Sequence, residues 1–303
     1  MRVAFQGEPG AYSEAALLEF FGSKASAQPI EAVPHDSFDA VFASVEAGTC
    51  ACGLIPIENS LAGSIHRNYD LLLRHQLLIV GEYYLRVRHC LIALPGVDLH
   101  EIRKVISHPQ ALSQCEAYLS KLGLQVEPVY DTAGSVKMLS ELGERSLAAI
   151  ASRRAAELYG MQILAEGIED THADDLAANF TRFLVIVPQA ASETVATLEG
   201  DIEAKTSIVF TLRNMPGALF KALSVFALRD IDLTKIESRP LVNQLWQYLF
   251  YIDIAGSATE PAVSHALENL CEYALTLRVL GSYPRHRLND DFERINSNKL
   301  EEK

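Results

Sequence analysis

Cysteine, methionine and tryptophan are all scarce in this chain of 303 residues, which holds five, four and one of them respectively. The cysteines (Cys50, Cys52, Cys90, Cys115, Cys271) are scattered and form no C-x-x-C pair. That pattern argues against a metal ribbon or a disulfide framework and suits core thiols in a reducing cytoplasm. Positive charge is also short, with 26 Lys+Arg against 39 Asp+Glu and a net charge of −13. Nonspecific nucleic-acid binding is thereby disfavoured. Residues 1–203 carry 14 Lys+Arg and 27 Asp+Glu, while residues 204–283 carry 7 of each, so the excess lies wholly in the first two thirds. An anionic ligand bound there needs local donors, because the overall field repels it. No apolar run is long enough to span a bilayer, and the start, Met1-Arg2-Val3-Ala4-Phe5-Gln6-Gly7, enters a strand without a signal-peptide pattern. Walker loops, G-x-S-x-G elbows and H-E-x-x-H helices are missing as well.

What is present is a hydrophobic content of 49%, ample for a core, over a length that suits two domains or three subdomains. Strand, loop and helix patterns alternate from the N-terminus. Arg2–Gln6 reads as a strand, Ser13 as a cap for a helix to Phe21, Ile30–Val33 as a strand, Asp36 or Ser37 as the start of a helix, and Cys52–Ile55 as a third strand. Leu77–Leu94 is a long extended stretch that could carry the chain into a second lobe. There Lys104–Ser107, Gln125–Val129 and Leu147–Ile150 read as strands, each followed by a helix. Arg182–Val187, a run of branched apolar residues closed by Pro188, supplies one more buried strand. The class is α/β with a mainly parallel sheet, and open sheets of this kind bind ligands at the strand ends.

Polar residues collect at those ends. Ser13, Asn59-Ser60, Ser107 through Gln110, and Thr132 all stand where a strand hands over to a helix, where free N–H groups favour carboxylates or phosphates. Each alone is compatible with ordinary capping. Asn179-Phe180-Thr181-Arg182-Phe183 places an amide, a hydroxyl and a guanidinium at the mouth of the last strand. Asp170, His172, Asp174 and Asp175 resemble loose metal ligands but suit a solvated loop. His89 and His108 suit structural, hydrogen-bonded roles.

Residues 189–203 read as a linker. The stretch 204–283 then follows a β-α-β-β-α-β order, the ferredoxin-like arrangement, and the charged tail 284–303 is expected to fray.

Several blocks together resemble the prephenate dehydratase family: Phe5-Gln6-Gly7 with Gly10-Ala11-Tyr12-Ser13-Glu14, Pro56-Ile57-Glu58-Asn59-Ser60 with Gly63-Ser64-Ile65, Ser107-His108-Pro109-Gln110-Ala111, Asp131-Thr132-Ala133, and Asn179-Phe180-Thr181-Arg182-Phe183. Pro216-Gly217-Ala218-Leu219 and Glu237-Ser238-Arg239-Pro240 resemble that family's regulatory ACT domain. The resemblance implies a catalytic domain over 1–188 with a two-lobed, type II periplasmic-binding fold (lobe 1 about 1–77 and 170–188, lobe 2 about 78–169), followed by the ACT domain at 204–283. No mutase segment precedes residue 1, so the monofunctional form is expected. The implied reaction converts prephenate to phenylpyruvate with loss of CO2 and water and needs no cofactor and no metal. Thr181 matches the group that assists the departing hydroxyl, and Asn59, Ser60 and Gln110 match neutral donors beside it. Ser13, Glu58, Ser107, Thr132, Arg182 and Phe183 complete the expected substrate contacts, although Arg182 alternates with Thr181 along a strand and so faces the other way. L-Phenylalanine is the expected inhibitor, held by Asn214, Met215, Gly217, Ala218 and Leu219 with Glu237, Ser238 and Arg239 of a neighbouring subunit in a homodimer that pairs into a homotetramer. Arogenate, the aminated substrate, is the alternative. A non-enzymatic solute sensor is the second alternative.

Overall fold

A computed structural model describes residues 1–22, 29–170, 179–191, 203–241 and 248–286. Most of the expected linker (192–202), most of the expected tail (287–303) and the candidate ligands His172, Asp174 and Asp175 lie outside the described residues.

The first lobe runs β1 (Arg2–Gln6), α1 (Tyr12–Gly22), β2 (Glu31–His35), α2 (Phe38–Glu46), β3 (Cys52–Asn59), β4 (Gly63–Ser64), α3 (His66–Arg74) and β5 (Leu77–Arg86). Val3, Ala4 and Phe5 are all fully buried, so β1 is apolar on both faces, as a central parallel strand covered by helices must be. It pairs in parallel with β2 (Val3↔Ala32) and β3 (Val3↔Cys52). Ser37 caps α2 by accepting from Ala40 N–H at 3.3 Å. Helix α1 starts at Tyr12, so Ser13 sits within its first turn rather than at the cap that the sequence suggests.

The second lobe runs β6 (Cys90–Ala93), β7 (Lys104–Ser107), α4 (Pro109–Gln114), α5 (Glu116–Leu122), β8 (Gln125–Pro128), α6 (Thr132–Leu142), β9 (Leu147–Ala151), α7 (Arg153–Leu158) and β10 (Gln162–Glu166). Its sheet has the order β10-β6-β9-β7-β8, parallel from β9 to β8 and antiparallel at β6 and β10. Leu91, Val105, Leu119, Ala148 and Ile150 form its core. The chain then returns through β11 (Phe180–Pro188), and the first sheet reads β2-β1-β3-β11-β5. Because β5 belongs to that first sheet, the crossing to the second lobe falls after Arg86, not at residue 78. Strands β5 and β11 are the two connections, and the architecture is the two-lobed, type II periplasmic-binding arrangement.

The lobes meet at the Gly7–Gly10 turn. Gly10 has φ +92°, and a Cβ there would stand 2.9 Å from Ala155 Cα, so only glycine fits. Ser152 caps α7 and donates its hydroxyl proton to Gly10 O at 2.6 Å, and Arg154 pairs with Glu14 at 2.8 Å.

By chain contacts the protein divides into Met1–His75 with Tyr83–Leu184, which holds both lobes, and Gln76–Glu82 with Val185–Lys303. The second unit contains β12 (Ala204–Leu212), α8 (Ala218–Ala227), β13 (Leu233–Pro240), β14 (Tyr248–Ala255), α9 (Pro261–Tyr273) and β15 (Ala274–Pro284). Its antiparallel sheet, β13-β14-β12-β15, has the ferredoxin-like order, with α8 and α9 covering Ile208, Phe210, Ile252 and Ile254. Within this unit the first half of β5 is gripped by the sheet. Glu82 takes both carboxylate bonds from Lys205 Nζ at 2.8 Å, His286 N–H adds one at 3.0 Å, and Arg278 donates to Leu77 O at 3.0 Å. Glu82 and Lys205 side chains are 0% and 4% exposed.

Candidate active site

A cavity of about 360 Å³ opens between the lobes, a volume suited to a small organic acid. Its apolar wall includes Phe38, Ile65, Val87 and Phe183, and its polar wall includes Gln6, Tyr12, Ser13, Asn59, Gln110, Gln114, Thr132 and Thr181. Among the described lining residues there is no Lys or Arg, and the one carboxylate is Asp131.

Thr181, near the start of β11, faces this cavity because β11 carries alternate residues to opposite sides. Arg182 accordingly points away. It is 3% exposed, bonds Glu58 Oε1 at 3.1 Å and lies over the Tyr84 ring at 6.0 Å. The expected substrate contacts of Glu58 and Arg182 are therefore replaced by an ion pair outside the cavity. Ser107 does not reach it either, since its buried hydroxyl donates to Ile150 O at 2.6 Å. Ser60 is likewise absent from the lining. It holds the start of β11, its N–H donating to Phe180 O at 2.8 Å and its Oγ accepting from Phe180 N–H at 2.9 Å. Ser13, Asn59, Gln110, Thr132, Thr181 and Phe183 all line the cavity.

Asn59, the last residue of β3, organises the centre. Its Nδ2 donates to Asn179 Oδ1 (2.7 Å), Phe180 O (3.2 Å) and Thr181 Oγ1 (3.0 Å), while its Oδ1 accepts from Leu61 and Ala62 N–H at 3.1 and 2.9 Å. Thr181 Oγ1 thus accepts from Asn59 and keeps its own proton to donate into the cavity.

Behind this centre lies a second set of polar side chains, of which the sequence does not single out Gln114. Gln114 Oε1 accepts from Asn179 Nδ2 at 3.1 Å, and Gln114 Nε2 reaches Asn59 Oδ1 at 3.4 Å. His89 Nε2 is 2.9 Å from the same Gln114 Oε1, and His89 Nδ1 is 2.9 Å from Tyr12 Oη. Turning the Gln114 amide over would set NH2 against NH2 and O against O, so the bonds settle the tautomer. His89 donates from Nε2, and the single Tyr12 hydroxyl proton faces two acceptors, His89 Nδ1 and Arg88 O, each at 2.9 Å. Burial lowers the His89 pKa and raises that of Tyr12 well above the phenol range, so both are neutral here. His108, by contrast, caps α4, its Nδ1 accepting from Gln110 N–H at 3.2 Å.

Asp131 caps α6, its Oδ1 accepting from Gly134 N–H at 2.8 Å. Burial pushes its carboxyl up, while the Gly134 and Ala133 N–H groups oppose that rise. Asp170 Oδ2 accepts from Ala117 N–H at 2.9 Å. Among the described residues no cluster of three His, Cys, Asp or Glu could hold a metal ion. Cys50, Cys52, Cys90 and Cys115 are buried and free, with burial pushing Cys52 up to about 12 and Cys90 to about 11. Cys271 is exposed, contrary to the expectation of core thiols throughout.

In the second unit Asn214, Met215 and Gly217 form an exposed turn, with Gly217 at φ +77° preceding Ala218 and Leu219 on α8. Glu237, Ser238 and Arg239 lie on the edge strand β13 of the same sheet.

The chain has a two-lobed α/β body with a cleft lined by neutral donors and a ferredoxin-like sheet domain. The prephenate dehydratase family profile matches residues 3–191 and the ACT domain profile residues 206–272, so this chain belongs to the prephenate dehydratase family, with an ACT domain C-terminal to the catalytic part. It is 48% identical over 293 residues to arogenate dehydratase/prephenate dehydratase 2, chloroplastic, of Arabidopsis thaliana, covering 94% of this chain and 73% of that protein. The crystal structure of prephenate dehydratase in complex with L-Phe from Arthrobacter aurescens matches with a TM-score of 0.81 at 31% identity, over 94% of this chain and 90% of that one. GqqA, described as a novel type of quorum-quenching acylase, matches with a TM-score of 0.83 at 33% identity, over 95% of this chain and 100% of that one. Among the described residues no helix is long and apolar enough to cross a membrane.

Proposed function

We propose that the chain dehydrates and decarboxylates prephenate, giving phenylpyruvate, or arogenate, giving phenylalanine, under feedback by L-phenylalanine. The observation that carries this reading is Thr181, whose hydroxyl accepts from Asn59 Nδ2 and keeps a proton to donate into a cavity of small-acid size. The ring chemistry is the same for both acids. The electron pair of the bond to the ring carboxylate moves into the ring as CO2 leaves, the ring C–O bond breaks, and the departing hydroxide takes a proton to become water. Aromatisation drives the step. The protein has to hold the acid in register and supply one strong hydrogen bond or proton at the leaving oxygen. A threonine hydroxyl is too weak an acid to protonate alone, so Thr181 acts as a hydrogen-bonding relay polarised by Asn59. Ser13, Gln110 and Thr132 offer neutral donors to the carboxylates.

Catalytic roles for Thr181, Asn59 and Gln110, and inhibitor binding at Asn214 through Leu219 with Glu237, Ser238 and Arg239 of a second subunit, belong to this same proposal. So do a catalytic domain over 1–188, an ACT domain over 204–283 and a homodimer built through the ACT sheets. Cytoplasmic localisation is also proposed, and the free thiols support a reducing compartment.

The test is product formation from each acid by purified protein, with and without L-phenylalanine. Turnover suppressed by phenylalanine supports both the catalytic and the regulatory readings. No turnover of either acid sinks the catalytic one, and a ligand sensor then becomes the better account.

Gln114→Leu is expected to lower kcat about 5- to 100-fold and to lower the melting temperature by several degrees, since it strips partners from the buried Asn59, Asn179 and His89. Initial rates at saturating substrate check it.

A further inference from the structure

The first two thirds of the chain are short of cations, yet one cavity gathers them. Of the 14 Lys and Arg in residues 1–203, four (Arg86, Arg88, Arg153 and Arg154) line a second cavity of about 440 Å³ in the two-lobed unit. Its place follows from alternation along the crossing between the lobes. Val87 and His89 line the catalytic cavity, while Arg86, Arg88 and Cys90 line the second one, so a single extended segment separates the two. Helices α1 and α7 supply further wall. Two of the arginines are matched, Arg153 by Glu166 and Arg154 by Glu14. Among the described residues the Arg86 and Arg88 guanidinium groups make no hydrogen bond or ion pair. Two residues apart on an extended segment, they project to the same side and can close together on one oxyanion. Leu18 and Leu85 add an apolar surface. Glu19, which accepts from Tyr83 Oη at 2.6 Å, and Glu157 also line the cavity, and these carboxylates oppose a ligand carrying several negative charges.

We propose that this cavity is a second binding site, for a small monocarboxylate with an apolar body, whose carboxylate is held by Arg86 and Arg88. The site goes beyond the dehydratase reading and does not depend on it. Two like charges on one side of a segment repel, and an oxyanion between them turns that repulsion into charge-assisted hydrogen bonds. The catalytic cavity offers an acid only neutral donors, so the two sites hold carboxylates by different means. Occupancy is felt across the partition. Tyr12 lines both cavities, and its hydroxyl stands 2.9 Å from both Arg88 O and His89 Nδ1. A carboxylate on Arg86 and Arg88 therefore fastens the segment that carries Val87 and His89 on its other side. Simple acids and α-amino acids share the required chemistry, and Glu157 separates them, because it opposes the first and can pair with the ammonium of the second.

The experiment is calorimetry of the full chain with isocaproate and, separately, with L-leucine, which adds an ammonium to the same skeleton. The wild type is expected to bind at least one of them with a dissociation constant of about 1 mM or below. Arg86→Gln with Arg88→Gln is expected to weaken that binding on the order of 10- to 100-fold, the range of one or two charge-assisted bonds. Both side chains lie outside the core, so an unchanged melting temperature accompanies the loss. Glu157→Gln provides a second reading, tightening isocaproate and weakening L-leucine severalfold. Tighter binding of L-leucine makes the occupant an amino acid and tighter binding of isocaproate a simple acid, and both support the site. Binding that the double variant leaves within about twofold overturns it, because the acid then sits elsewhere on the protein, and so does the lack of any heat at about 10 mM ligand. Since no substrate is turned over in this measurement, its outcome stands whatever the dehydratase assay gives.

Discussion

Thr181→Ala is expected to lower kcat by on the order of 10²–10⁴-fold, the range that one positioned proton-transfer or hydrogen-bonding group contributes. The loss should fall on kcat and leave KM close to its original value. In the proposed mechanism the hydroxyl meets the leaving oxygen, whose charge grows only as the C–O bond breaks, and interactions made in the transition state alone appear in kcat. Thr181→Ser keeps the hydroxyl and its bond from Asn59 Nδ2 and should retain most of the rate. Steady-state kinetics on the three proteins decide the matter. Equal rates for threonine and alanine would remove Thr181 from the mechanism. If serine were as poor as alanine, the β-methyl would matter more than the proton.

Lys205→Ala should cost about 3–5 kcal/mol of stability in the unit formed by Gln76–Glu82 and the ACT sheet. The substitution leaves the Glu82 side chain, 0% exposed, without both its Lys205 bonds. Replacing both partners together, Lys205→Met with Glu82→Leu, should recover most of that loss, because two apolar groups need no pairing. Urea unfolding of the two variants, with the slope compared as well as the midpoint, measures the difference. A single mutant as stable as the wild type would mean that the pair is solvated in solution.

Much of the fold is legible in the chain because it rests on periodicity. Apolar runs such as Val3-Ala4-Phe5 and Leu184-Val185-Ile186-Val187 mark strands buried on both faces, and the caps Ser37, Asp131 and Ser152 mark helix starts. Strand β10 escapes this reading, since Gln-Ile-Leu-Ala-Glu is short and as compatible with a helix as with a strand. Ser13 looks like a cap but lies one residue inside its helix, a shift that local sequence does not resolve. The site is legible only in part, for a geometric reason. Alternation along β11 predicts that Thr181 and Arg182 face opposite ways, and they do. Which of Ser107 and Gln110 reaches the cavity depends on how β7 ends, and the Ser107 hydroxyl is taken by Ile150 O. The Tyr12–His89–Gln114–Asn179–Asn59 network joins five separate stretches of chain. Each of its members reads as an ordinary polar residue until the fold brings them together.

The absence of cations from the described cavity wall also governs how substrate arrives. Many sites for anions draw their ligands in with a positive field and so bind faster in dilute buffer. For the proposed diacid, a body of net charge −13 is expected to slow encounter by repulsion at low ionic strength, and salt to quicken it by screening. The enzyme therefore depends on what happens after entry. On the proposed reading, retention by neutral donors then weighs more than speed of capture.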